Sequence, residues 1–320
     1  MSNARDELHM TDPFVKRLWA YFQERFPIMG YGVLIISYYS SNQFLSHALN
    51  RPGEPMHYSG RSLAGGVILL CIFFHLRVFD EHKDYADDCK HYPHRVLQQG
   101  LITLRQLKWL SAAAIATELI LAICLGFPVL SAVLIALAFS LLMLKEFFAG
   151  EWLKRHFLLY AVSHMLIMPL LALIVYSIST RRFPWHAPGW FWVYAFVGFF
   201  VTFNWEISRK IRAPGDEVQG VGSYSRMWGV YGAAYAVLLV RVIDTLMVAL
   251  VGWHLGVSPW FYGALTALYL VCLIGFLDFR FRTSTRTAKR MEIYAGIYII
   301  AFDLTLAVEI ARLNGLELFI

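Results

Sequence analysis

The sequence carries little charge for its length. Asp, Glu, Lys and Arg make up 16% of 320 residues, where soluble domains carry about 25%, and the shortfall excludes an ordinary water-soluble domain. Cysteine is sparse: Cys71, Cys89, Cys124 and Cys272 stand apart, without CxxC spacing, so neither a disulfide framework nor a zinc site is expected. There is no concentrated basic block. The net charge of +6 is spread along the chain and points to no nucleic-acid partner. The polar start MSNARDELHM carries no signal peptide, so the first apolar segment is expected to remain in the mature chain.

What is abundant is apolar: 58% of the residues are hydrophobic and 16% aromatic, with a mean hydropathy of +0.53. Crossing a hydrocarbon core of about 30 Å takes about 20 such residues. Nine segments are long enough, near 27–49, 62–79, 107–125, 127–146, 157–179, 189–206, 228–250, 258–278 and 291–312. The expected fold class is all-α, a polytopic membrane protein with nine transmembrane helices. The breaks GFP at 126–128 and GWHLGVS at 252–258 read as tight turns between antiparallel helices. With the N-terminus cytoplasmic, the inside segments hold twenty-one Lys and Arg, Arg5 among them, against four outside, Arg51, Arg61, Arg181 and Arg182. That bias sets the expected orientation, with the C-terminus on the opposite side. Residues 1–26 then form a cytoplasmic N-terminal segment and 27–320 the transmembrane domain, with cytoplasmic cap loops.

The cytoplasmic side is where the chemistry collects. After the second apolar run comes DEHKDYADD, with five carboxylates in nine residues. If the helix continues past Phe79, then Asp80, Asp84 and Asp88 share one face, each about 6 Å further along the axis. Like charges at that spacing repel, and a cation relieves them. Mg²⁺ suits oxygen ligands and takes one or two carboxylates together with substrate phosphates. Bases stand nearby in sequence: Lys154 and Arg155 before the fifth span, and Arg209, Lys210 and Arg212 after the sixth, with Glu206, Asp216 and Glu217 among them. Lys and Arg are natural partners of diphosphate, although Glu206 and Lys210 also form a plain i, i+4 pair. Within the spans, His75, His164, Arg241, Asp244 and Asp303 are functional candidates by their ionisable character; Arg241 and Asp244, three residues apart, are expected to neutralise each other. A Mg²⁺ site beside phosphate-binding bases, over an apolar and aromatic interior, suits ionisation of a prenyl diphosphate.

These residues also resemble the UbiA-type intramembrane prenyltransferase superfamily, over essentially the whole chain. The family's first motif reads N-D-x-x-D-x-x-x-D, followed by P-x-R. DEHKDYADD matches it with Asp80 in the Asn position, Glu81 in the first Asp position, and Asp84 and Asp88 unchanged, and the match continues through Pro93, Arg95, Gly100 and Thr103. Lys154 and Arg155 look like the family's basic pair, and GDEVQGVGSYSRMWG is similar to the tail of its second motif at Asp216, Gly220, Ser223 and Gly229. The second motif departs from the pattern: Arg209 and Arg212 stand where two further aspartates are usual.

The resemblance implies nine helices around a central cavity and a Mg²⁺-dependent transfer of a prenyl group from an isoprenyl diphosphate to an aromatic or lipid-like acceptor among the membrane lipids. It implies metal ligands at Asp80, Glu81, Asp84, Asp88, Asp216 and Glu217. Asp84, Asp88 and Asp216 would be catalytic, and diphosphate would meet Arg95, Lys154, Arg155, Arg209, Lys210 and Arg212. A terpene cyclase of the same superfamily, releasing diphosphate without an acceptor, is the alternative, and a non-catalytic isoprenoid-binding protein is a third. Arg77, one turn before Asp80, and Arg241 are candidates for an acceptor's carboxylate.

Overall fold

The computed structural model of the chain describes residues 8–217 and 220–318. Arg5, the start of the predicted N-terminal segment and Val218–Gln219 of the second motif lie outside the described residues.

The chain is almost entirely helical: α1 (Phe14–Arg25), α2 (Ile28–Asn50), α3 (Gly60–His91), α4 (Leu104–Leu125), α5 (Phe127–Leu144), α6 (Gly150–Arg155), α7 (Phe157–Met165), α8 (Ile167–Thr180), α9 (Gly189–Arg209), α10 (Tyr224–Leu255), α11 (Pro259–Phe281) and α12 (Thr285–Asn314). Local sequence sets the ends. Thr103 and Ser284 open α4 and α12 with reciprocal capping boxes, which satisfy backbone N–H groups that have no partner in the first turn. Gly126, at φ 109°, makes the turn between α4 and α5, and Gly256, at φ 66°, ends α10; an L side chain rarely adopts either conformation. Both predicted tight turns are thus present.

Helices occupy all nine predicted segments, α7 and α8 forming one of them together. Among the described residues, seven are long and apolar enough to cross a membrane. The two that fall short are α2 and α9. Polar Ser, Tyr, Asn and Gln run through the middle of α2 (SYYSSNQ) and Trp and Tyr through α9 (WFWVY), and these side chains lower hydropathy without adding charge. Many of the polar ones in α2 are buried among neighbouring helices.

In order, α2, α3, α4, α5, α8, α9, α10, α11 and α12 each pack on the next, and α12 closes the ring on α2. The main core lies inside that ring, with Tyr38, Tyr39, Leu69, Ile174, Phe191, Val248 and Phe302 buried together. The outward faces leave Leu63, Trp109, Ile120, Leu134, Leu246 and Ile274 exposed, an apolar surface suited to lipid. At one end of the ring, a separate cluster of Tyr21, Val78, Val96, Leu97 and Ile102 docks α1 against α3. At the other end, β1 (Met56–Tyr58) pairs in parallel with β2 (Leu316–Leu318), Met56 opposite Leu316, and so ties the α2–α3 loop to the chain's C-terminal strand.

Candidate functional site

At 32 residues, α3 is about 48 Å long, more than the bilayer core requires. Its extra turns carry the acidic motif, and Pro93, which cannot donate to a continuing helix, follows its end. Phe73 and Arg77 on this helix line a cavity. At 100° per residue Asp84 lies within about 20° of Arg77, two turns further on, with Asp80 and Asp88 on the same broad face. The acidic row therefore continues the cavity-lining face beyond its mouth.

Four of the five carboxylates have a cation. Asp80 is 3.0 Å from Lys83. Glu81 is buried, held by Arg25 of α1 at 2.6 Å, and its Oε2 has no partner. Asp87 pairs with Lys90 at 3.1 Å. Asp88 takes Arg95 at 2.7 Å and Arg25 at 3.7 Å. Asp84 is exposed and has no such partner among the described residues. Predicted as equals, the acids are not equal: Glu81 and Asp88 anchor α1 and the following turn, and Arg95, expected at diphosphate, spends its charge on Asp88. Lys83 lies 3.4 Å from both Tyr160 Oη and His164 Nε2, which joins α3 to α7.

The second motif lies at the same end. A Cβ on Gly220 would stand 3.4 Å from His91 Nε2 at the end of α3, and one on Gly222 3.1 Å from Phe157, so this loop threads between the two helices. Lys210 sits over the Phe157 ring, 4.8 Å from its centroid. Glu206 is buried and bonded by Arg209 and Lys210, each at 2.5 Å. Arg212 donates to the carbonyls of Arg209 and Ile211. Asp216 accepts from Thr285 at 2.6 Å, and Glu217 from Ser223 at 2.7 Å. Arg209, Arg212 and Asp216 line a separate pocket of about 250 Å³ with Thr285 and Lys289 of α12. Lys154 and Arg155 are exposed on α6. Lys154 is 3.9 Å from Glu146, and Arg155 donates to the Glu151 carbonyl. The structure thus brings both motifs to one end, while among the described residues no ion pair or hydrogen bond joins the second-motif acids or Lys154–Arg155 to the α3 row.

The donor set fits one Mg²⁺. Asp80 and Asp84 offer hard carboxylate oxygens one turn apart, the second without a cation, and Mg²⁺ ordinarily completes its shell with water and substrate phosphate. Among the described residues no three His, Cys, Asp or Glu side chains converge, so these residues form no full cage, and a metal here would rest on Asp80 and Asp84 with water and substrate oxygens.

The cavity itself holds about 630 Å³. Glu24, Arg25 and Arg77 stand at its mouth; Tyr31, Leu34, Phe73, Val201, Trp205 and Ile297 form its walls. Asp303 lies at the deep end, about 15 Å along α12 from Ile293 at the mouth. Ser41 and Tyr194 both donate to its Oδ1, at 2.5 and 2.6 Å. Among the described residues Asp303 has no cation and Oδ2 has no donor, in contrast to Asp244, which Arg241 pairs at 3.0 Å. Arg241 also donates to Asn204 and lies away from the cavity lining.

Sequence reasoning missed two groups. Glu118, fully buried in α4, binds His75 at 2.8 Å, and His75 reaches Ser140 at 3.1 Å; a lone Glu within an apolar run was a readable signal. Arg25 clamps Glu81 and Asp88 across 56 and 63 residues of chain, and no local pattern announces that.

The description "UbiA prenyltransferase family" belongs to the family whose sequence pattern matches residues 49–297. The fold is similar to a structure of digeranylgeranylglyceryl phosphate synthase in membranes, with a TM-score of 0.63 at 15% identity, covering 93% of this chain and 99% of that one. It is also similar to the apo structure of a UbiA homolog from Aeropyrum pernix K1, with a TM-score of 0.64 at 15% identity, covering 84% of this chain and 97% of that one. No curated protein sequence matches.

Proposed function

The chain belongs to the UbiA prenyltransferase family, and on that premise we propose that it ionises an allylic isoprenyl diphosphate and passes the prenyl group to an aromatic or lipid-like acceptor inside the membrane. The observation that carries this reading is Asp84, the carboxylate left without a cation on the face of α3 that continues into the apolar cavity. In this reading the diphosphate lies at the mouth, against Asp80, Asp84 and Arg77, and the prenyl chain lies in the cavity. Asp80 and Asp84 would hold Mg²⁺, which would supply positive charge to the departing diphosphate. Arg77, already facing the mouth, adds a guanidinium to the same anion. Lys154, Arg155, Arg209, Lys210 and Arg212 stand at this end as further partners for phosphate oxygens.

As the C1–O bond breaks, diphosphate leaves with the electron pair. The acceptor then bonds to C1 and gives up a proton. Tyr31, Phe73 and Trp205 turn the cavity wall aromatic, and their π faces suit a passing allylic cation, while the apolar walls keep out the water that would quench it. The positive-inside bias supports a cytoplasmic mouth.

The test is to incubate purified protein and Mg²⁺ with prenyl diphosphates of several lengths, with and without an aromatic acceptor. Turnover that requires the acceptor is the expected result. Absence of diphosphate release under every condition would overturn the reading.

One observation favours a second reading, cyclisation. Asp303 places a carboxylate oxygen without a donor at the deep end, where a chain's far double bond would lie. In a cyclase that double bond attacks C1 as diphosphate departs, and the new cation loses a proton to Asp303 to leave an alkene. A cyclic hydrocarbon formed without acceptor would select this reading.

A further inference from the structure

The end of the ring opposite the acidic motif holds a second pocket, of about 240 Å³, between α2, the start of α3 and the end of α8. Three guanidinium groups face it, Arg51, Arg61 and Arg181, with His47 and His57 beside them. Among the described residues no carboxylate lines it. Two acids outside the lining pair with its edge, Glu54 at 3.7 Å from Arg51 and Glu317 at 3.3 Å from His57; both are largely exposed, and neither pairs with Arg61 or Arg181.

The cations are incompletely satisfied. Arg61 Nη2 donates to the Leu125 carbonyl at 3.0 Å, yet its Nε is buried without a partner. The backbone N–H of Arg181 closes α8 on the Ser177 carbonyl, while its exposed side chain makes no hydrogen bond or ion pair among the described residues. Arg181 holds a left-handed backbone conformation, φ 57°, at the end of α8, which few residues other than glycine adopt. Buried donors ordinarily find partners, and like charges facing one space repel. The N-terminus of α3, a helix of 32 residues, adds its positive end to the same pocket through Ser59 and Ser62. The wall is also fixed in place: Met56 and His57 belong to β1, which β2 holds by parallel pairing. One turn into α3 Leu63 is exposed, so the pocket opens where the apolar surface begins.

We propose that this pocket binds a phosphate group, from a lipid headgroup or from free phosphate, between Arg61 and Arg181. The planar guanidinium forks match phosphate oxygens, and the anion removes the repulsion between the arginines. This site is separate from the cavity mouth and does not depend on the prenyl-transfer reading.

The test uses the full-length chain in a neutral detergent. Native mass spectrometry follows retention of phosphatidylglycerol against phosphatidylcholine, and thermal unfolding follows sodium phosphate against matched sodium chloride. Arg181→Gln is the deciding variant, because Arg61 also caps α4 and its loss disturbs folding. The wild-type chain is expected to prefer phosphatidylglycerol or to be stabilised by phosphate. Arg181→Gln should weaken that response about tenfold, the loss expected for one charge-assisted contact. A response to the lipid alone assigns the headgroup, and one to phosphate alone assigns the free ion; both support the site. Equal responses of wild type and Arg181→Gln to both probes would overturn it. An equal loss in Arg182→Gln, a residue outside the lining, would overturn it as well.

Discussion

The two ends of α3 carry charge of the sign that the helix itself already supplies. Arg61 stands in the first turn, where unpaired N–H groups make the helix end positive. Asp87 and Asp88 stand at the last turn, where unpaired carbonyls make it negative. Each such placement costs about 0.3–1 kcal/mol. The ends differ in how that cost is met. At the acidic end, cations come from elsewhere, Arg25 from α1 and Arg95 from the following turn, while Lys90 and His91 in the last turn offset the dipole, and one acid remains open. At the basic end a carbonyl answers Arg61 in part, and no carboxylate in the lining answers the rest. On the readings proposed above, one end takes a cation and the other an anion.

The largest expected effect breaks the acidic end. Asp84→Ala should lower diphosphate release about 10³-fold, equivalent to about 4 kcal/mol of transition-state stabilisation, with thermal stability unchanged or slightly raised because a repelling charge is gone. A stability loss with activity retained would make Asp84 structural. Next, Arg25→Ala strands the buried carboxylate of Glu81, and about 3 kcal/mol of stability should disappear, read by chemical unfolding in detergent. Replacing both partners, Arg25→Met with Glu81→Leu, should recover most of that loss, since the cost lies in the stranded charge. A smaller contrast concerns the buried acids. Asp244→Asn leaves Arg241 uncompensated and should cost about 3 kcal/mol, whereas Asp303→Asn keeps its hydroxyl partners and should cost under about 1 kcal/mol while changing the product distribution. Smallest of all, Arg212→Ala should raise KM for the prenyl diphosphate by about threefold at most, as befits one half-buried, peripheral cation. A tenfold rise together with altered Mg²⁺ dependence would make Arg212 a principal contact of the diphosphate and not a peripheral one.

Much of the fold was legible because apolar run length sets where a chain can cross a bilayer, and helices occupy all nine predicted segments. The exceptions are instructive. α1 was read as a plain N-terminal segment, yet Tyr21 buries it against Val78 and Leu97, contacts that span more than fifty residues of chain. The parallel pairing of Met56 with Leu316 joins strands of three residues too short to show a period. In the site, the i, i+4, i+8 placement of Asp80, Asp84 and Asp88 followed from helix geometry alone. Their roles did not, because Lys83, Arg25 and Arg95 choose partners by proximity in space.

By itself, then, the sequence determined that this is a multi-pass helical membrane protein, with a row of carboxylates on one helix face and a second motif to accompany it. Those properties are local: hydrophobic length and the 3.6-residue period act within a segment whatever surrounds it. Tertiary structure alone decided which acid stays free, that Asp303 faces the cavity, and that Arg61 and Arg181 share a pocket. Charges settle such questions through distances of a few ångströms between segments far apart in sequence, and packing sets those distances.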